Sequence, residues 1–255
     1  MVLVVAEDDD GVRVLTLQRP DARNAMSTAL LGELLDAVAD AVADGEVRVL
    51  VVTGSGGSFS AGADLREELD HAGQVRRMDL FCQVYEAVAT CPKPTMAAVE
   101  GHCVGGGVEV AAACDLRVAG ATASFRFPGA ALGIPVGAAK LVGLVGLGAA
   151  KDLVLTSRTF DVDEALRIGF VQRLTPEGGA LDVAQQAAAQ IAGNHPDAVA
   201  QLKRHFDRFS GLRDRVAVEN DALHGLAEAG GDYTLLTMPD PKRSWSWPSS
   251  PGSGR

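Results

Sequence analysis

The seven residues VRVLVVT, Val47–Thr53, form a nearly continuous apolar run. A short run without polar alternation marks a strand buried on both faces, so other elements must cover each side of it. The flanking sequence supplies them. VRVLTLQ (Val12–Gln18) alternates as a strand and ends in the turn chemistry of RPDARNAMS. Ser27 is placed to cap a helix whose apolar positions Leu30, Leu34, Val38 and Val42 recur every four residues, widened by Leu31 and Leu35. A glycine-rich loop, GSGGSFSAGADL, follows the apolar run, and a polar helical stretch ends near Thr90. CPKPTMAAVEG then reads as a short strand, GGGVEVAAACD as a helix starting on glycine, and LRVAG as another strand. Helices are predicted over Asp161–Gly169, Asp182–Gly193 and His195–Arg208. Strand and helix alternate throughout, which predicts an α/β fold. The proline-rich segment from Pro239 onward reads as a flexible tail, 239–255.

A chain of 255 residues with 47% apolar and 22% charged residues can bury one sizeable core. Its net charge of −10 argues against nucleic-acid binding, so an anionic ligand would need a local basic pocket or helix N-termini. The start, MVLVVAEDDDG, lacks a basic segment before a long apolar one and predicts no signal peptide, hence a cytoplasmic location. The most membrane-like stretch, Ala131–Ala150, is rich in glycine and alanine and carries Lys140 near its centre. It reads as a buried helix plus loop, with no membrane association. Cys82, Cys91, Cys103 and Cys114 show neither a C-x-x-C pair nor ligand spacing to histidine, which predicts reduced, partly buried thiols and no metal site.

Two glycine-rich stretches, Gly54–Gly62 and Gly105–Gly107, each follow a predicted strand. GSGGSF does not have the G-x-G-x-x-G spacing of a dinucleotide site, and neither stretch has the G-K-[ST] of a phosphate loop. Either the glycines permit tight turns, or they bare backbone N–H groups for a carbonyl oxygen on which negative charge develops.

In order and spacing, RPDARNAMS, VRVLVVTGSGGSFSAGADL, KPTMAAVEGHCVGGGVEVAAACDLRVAG and KDLVLTSRTFDVDEALRIGFVQRL closely resemble the enoyl-CoA hydratase/isomerase (crotonase) superfamily. The resemblance covers about residues 10 to 175. It implies a spiral of ββα units with two approximately perpendicular sheets over residues 1–190, and a C-terminal helical region over 191–238. It also implies homotrimers or hexamers, and an acyl-CoA or enoyl-CoA thioester as substrate with no separate cofactor. By motif, the thioester oxygen would be held by the N–H groups of Ala63 and Gly106. Arg23, Ala25, Ala61, Asp64 and Leu65 would lie near the CoA adenine and pantetheine.

Family hydratases resemble one another in using two glutamates. The first is present here as Glu109, one helical turn from the triplet; at the second position, after Pro128, the chain has Gly129. No aspartate or glutamate lies between Asp115 and Asp152, and the segment after Gly133 is about three residues shorter than the family's usual stretch. A single carboxylate can move a proton between positions of an enolate, but does not easily both activate water and protonate carbon. The expectation is therefore an acyl-CoA-processing enzyme with Glu109 as acid/base and weak hydration. The alternatives are a non-catalytic acyl-CoA binding protein, or another reaction on the same scaffold such as decarboxylation or thioester hydrolysis. His71, Lys140 and Arg126 are candidates for the acyl pocket that read more naturally as solvated. Glu100 stands where the family usually has asparagine. The family's C-terminal motif is not recognisable, and Lys242 and Arg243 are left as candidate phosphate contacts.

Overall fold

The computed structural model describes residues 2–229. Strands β1 (Val4–Asp9) and β2 (Val12–Leu17) form an antiparallel hairpin. It turns at Asp10 and Gly11, both at positive φ, as a two-residue hairpin with the right-handed twist requires. Helix α1 (Thr28–Ala43) starts where expected, with the Ser27 hydroxyl accepting the N–H of Leu30. It returns the chain to strand β3 (Val49–Gly54), parallel to β2.

Helix α2 (His71–Ala89) leads to β4 (Thr95–Val99) beside β3, then to β5 (His102–Val104), helix α3 (Gly106–Ala113) and β6 (Leu116–Gly120). After β7 (Ser124–Arg126) come helix α4 (Ala138–Thr156), β8 (Thr159–Asp161), α5 (Val162–Arg167) and β9 (Arg173–Thr175). The main sheet has the order β1-β2-β3-β4-β6-β9, parallel from β2 onward, and β5, β7 and β8 make a second, smaller sheet. Helices α6 (Ala180–Ala192), α7 (Pro196–Ser210) and α8 (Leu212–Glu228) complete the C-terminal side. The α/β class, two sheets and a helical C-terminal region are therefore present. The expected tail, 239–255, with Lys242 and Arg243, lies outside the described residues.

The apolar run Val47–Thr53 supplies most of β3, whose four hydrophobic residues, Val49 to Val52, are completely buried. Leu50 and Val52 face the large core shared with α1, α2 and α3, whereas Val49 and Val51 face a second core under α6. The alanines Ala180, Ala184, Ala187, Ala188 and Ala192 form the buried face of α6. Glu100, at the end of β4, accepts the Ala180 N–H at 3.0 Å and so holds the first turn of α6. A Cβ at Gly120 would lie 2.1 Å from the Glu100 carboxylate, so the glycine makes room for it.

The stretch Ala131–Ala150 spans a 3₁₀ turn and much of α4, kinked at Gly146. No helix of the described residues is long and apolar enough to cross a membrane. All four cysteines are free and fully buried, rather than partly so.

Candidate active site

The glycine triplet has a separate reason at each position. Gly105 sits at φ 54°, ψ −124°, a conformation open only to glycine, and turns β5 into α3. A Cβ on Gly106 would come within 2.4 Å of the Phe81 ring, and one on Gly107 within 2.7 Å of Ser60. Facing this corner is the loop Ala61–Asp64. Gly62, at φ 89°, lies so close that a Cβ there would be 2.8 Å from the Val104 carbonyl and 3.2 Å from the Gly106 nitrogen.

Ala63 bridges Met26 in parallel, using the Met26 N–H to the Gly62 carbonyl (2.7 Å) and the Asp64 N–H to the Met26 carbonyl (3.0 Å). The pleat then turns the Ala63 N–H to the opposite side. Gly106 carries one of the unpaired donors of a helix N-terminus. Among the described residues neither N–H has an acceptor, and both residues line one cavity of about 500 Å³.

Ala61, Leu65 and Glu109 line the same cavity. Arg23, Ala25 and Asp64 are outside its lining, on the two segments that frame it. Arg23 is exposed, and its carbonyl accepts the Ala61 N–H at 2.9 Å. Ala25 is buried and accepts from the Arg19 guanidinium through its carbonyl. The Asp64 carboxylate turns away to Arg19, 2.7 Å distant, and to the Arg66 N–H. Burial would raise its pKa, but these hydrogen bonds outweigh it and leave the group below the usual carboxylate value. Of the other candidates, Arg126 lines the cavity, and His71 is exposed at the start of α2.

Gln74 and Arg77 of α2 also line it, and most of the rest of the wall is apolar: Met78, Phe81 and Tyr85 from α2, Leu132, Ile134 and Val136 from the turn before α4, and Leu223 from α8. Within it Glu109 is 1% exposed. Burial lifts its pKa from 4.5 to about 7, against the opposing pull of Lys140. The reading of Lys140 as solvated is corrected here. Its side chain is fully buried, with Nζ 3.0 Å from Glu109 Oε2 and 2.5 Å from Glu219 Oε1.

Sequence reasoning missed Glu219 and this pairing. The available signal was Lys140 itself: a lone cation in an apolar stretch without nearby acids needs a counter-ion from elsewhere in the chain. Gly129 stands where the resemblance implies a second glutamate, and a Cβ there would meet the Ile134 carbonyl at 2.6 Å and Val136 at 2.9 Å, because the turn folds back over it.

The Enoyl-CoA hydratase/isomerase family model matches residues 7–224. The short-chain-enoyl-CoA hydratase of Clostridium acetobutylicum is 36% identical over 211 residues, 80% of this chain and 81% of that one. The 2,3-dehydroadipyl-CoA hydratase of Escherichia coli is 35% identical over 228 residues, 88% of this chain and 86% of that one. A solved structure from Bordetella parapertussis, described as an enoyl-CoA hydratase/isomerase, superposes with a TM-score of 0.83 at 29% identity, covering 94% of this chain and 100% of that one. The residues that carried the resemblance, the fold they build and these relatives agree: the chain belongs to the enoyl-CoA hydratase/isomerase family and has the crotonase fold.

Proposed function

We propose that the chain processes acyl-CoA thioesters by stabilising an enolate, with the N–H groups of Ala63 and Gly106 on the thioester oxygen and Glu109 as the proton-handling group. One observation carries this reading: a single carboxyl, raised by burial to a pKa of about 7, lines a largely apolar cavity together with two residues whose N–H groups have no acceptor among the described residues. A carboxyl poised there can take a proton and return it at neutral pH. On a 3-enoyl thioester, Glu109 removes a proton from the α-carbon. The electron pair shifts onto the thioester oxygen, giving a dienolate whose charge the two N–H groups hold. The Glu109 carboxylic acid then returns the proton to the γ-carbon, giving the 2-enoyl isomer. Hydration would need a second group to activate water, and the Gly129 turn leaves no space for one. The hydratase names of the relatives support the thioester substrate class; proton transfer at carbon is the step that these residues favour.

The test is a panel of acyl- and enoyl-CoA thioesters in D2O, with mass detection of deuterium uptake and of products. Exchange and 3-to-2 isomerisation are expected, falling about 10²-fold or more in Glu109→Gln, with hydration of 2-enoyl-CoA slow. Tight binding without exchange or conversion of any thioester would instead establish a binding protein. Fast hydration abolished by Glu109→Gln would show that one glutamate suffices for it.

A further inference from the structure

Neither Lys140 nor Glu219 lines the cavity, yet both are tied to the carboxylate that does. Side-chain exposures are 0% for Lys140, 2% for Glu109 and 7% for Glu219. Glu219 is fixed in turn by the N-terminal turn of α4, where the Ala139 N–H donates to its Oε2 at 2.9 Å. The Lys140 ammonium also sits 4.9 Å from the centre of the Tyr85 ring. Such a buried ionic trio adds little net stability over well-packed apolar side chains. What it does provide is a cation at a fixed distance from the cavity carboxylate.

The geometry divides the two oxygens of Glu109. Oε2 is sealed from solvent and faces Lys140 as an ion pair, without the alignment of a hydrogen bond. Oε1 is not sealed in this way, and Glu109 lines the cavity, which leaves Oε1 as the oxygen available to a ligand there. We propose that Lys140 is a positioning residue: its ammonium, anchored by Glu219 on the C-terminal helix, favours the carboxylate form of Glu109 and holds it with Oε2 turned inward and Oε1 presented to substrate. This rests on the reading of Glu109 as the proton-handling group.

The groups that face Glu109 come from several elements. α4 supplies Lys140, α8 Glu219, α2 Tyr85 and β5 Cys103. β4 supplies no titratable side chain. Burial pushes the Tyr85 hydroxyl and the Cys103 thiol well above their ordinary values, so both stay neutral. Burial pulls Lys140 down, but the two carboxylates more than offset it and the ammonium persists. The charge on Glu109 is therefore set by burial and by two opposed neighbours: Lys140 favours the carboxylate and Glu219 disfavours it.

The two neighbours predict shifts of opposite sign. The readout is the protonated-carboxyl infrared band of Glu109 in ligand-free protein, isolated by subtracting the Glu109→Gln spectrum and followed against pH. The wild-type midpoint is expected near about 7. Lys140→Met should raise it by a unit or more, so that α-proton exchange at pH 7 falls about fivefold or more and recovers at higher pH. Lys140→Arg should stay close to wild type, and Glu219→Gln should lower the midpoint. If Lys140→Met does not fold, the sign of the Glu219→Gln shift decides. Lower melting temperatures with unmoved midpoints would overturn the proposal and leave the trio a purely structural element. Because the infrared titration needs no turnover, shifted midpoints with no thioester converted would uphold this inference while defeating the proposed reaction.

Discussion

Ionising a carboxyl in the interior costs free energy that the same group in water does not lose, and at Glu109 that cost has a pH signature. Its folded pKa, about 7, is above the ordinary 4.5. Below 4.5 both the folded and unfolded chains hold the proton. Between 4.5 and 7 only the folded chain does, so stability must fall as pH rises through this window and level off above it. The lowered carboxylates Asp8, Asp44, Asp64 and Glu164 have the opposite dependence, losing stability as pH falls. They cancel when wild type is compared with a variant at one residue. Glu109→Gln keeps the shape and never ionises. It should therefore gain on wild type by roughly 1–3 kcal/mol between pH 5 and pH 8, since each pKa unit corresponds to about 1.4 kcal/mol. Denaturant unfolding of both proteins at the two pH values measures this. An unchanged difference would mean that Glu109 titrates normally.

At the scale of the element, α3 matters most, because one end frames the cavity corner and the other is clamped by Arg117. Arg117 is 1% exposed; its Nη1 donates to the carbonyls of Cys114 (2.7 Å) and Ala111 (3.3 Å), and its Nε to that of Phe170. The guanidinium lies over the Phe170 ring and puts a cation where the helix dipole favours one. Burial pulls its pKa to about 10, which still leaves it charged at neutral pH. Arg117→Met would leave these carbonyls unpaired in the core and should cost about 3 kcal/mol in denaturant unfolding. Arg117→Lys, which lacks the fork, should recover only part of it. A loss below about 1 kcal/mol would show that water or backbone shifts satisfy the carbonyls instead.

The sequence signalled α3 strongly. The triplet, the apolar run and the spacing to Glu109 are local patterns, and each survives in the structure. The clamps on it are not local. Arg117 sits in a strand-like LRVAG whose arginine looks solvated until Phe170 folds over it. Lys140 meets a carboxylate 79 residues away. Ion pairs across such distances leave no periodicity to read, so they were legible only as an unexplained charge in an apolar stretch.

For the whole molecule the decisive packing is that of α8 against α2 and α4. It brings Leu223 to the cavity wall and Glu219 to Lys140, and the Asn220 amide donates to the Cys82 carbonyl at 3.2 Å. Yet its buried residues are only Val216, Glu219, Asn220, Leu223 and Ala227, two of them polar, and α7 before it buries only Lys203. A helix with so little apolar burial should open at lower free energy than β2, β3 and β4, whose residues pack on both faces of the sheet. Opening α8 would remove Leu223 from the cavity wall and Glu219 from Lys140, so a ligand that fills the cavity should bind mainly the closed form. At 100 times its Kd such a ligand stabilises the closed form by about 2.7 kcal/mol. Amides of 212–228 should therefore exchange faster than those of β3 in the free protein, and slow about 100-fold on saturation with an acyl-CoA. Hydrogen–deuterium exchange read by mass spectrometry follows both segments at once. Protection of the Ala61–Asp64 loop with α8 unchanged would place the acyl chain elsewhere and remove α8 from the binding site.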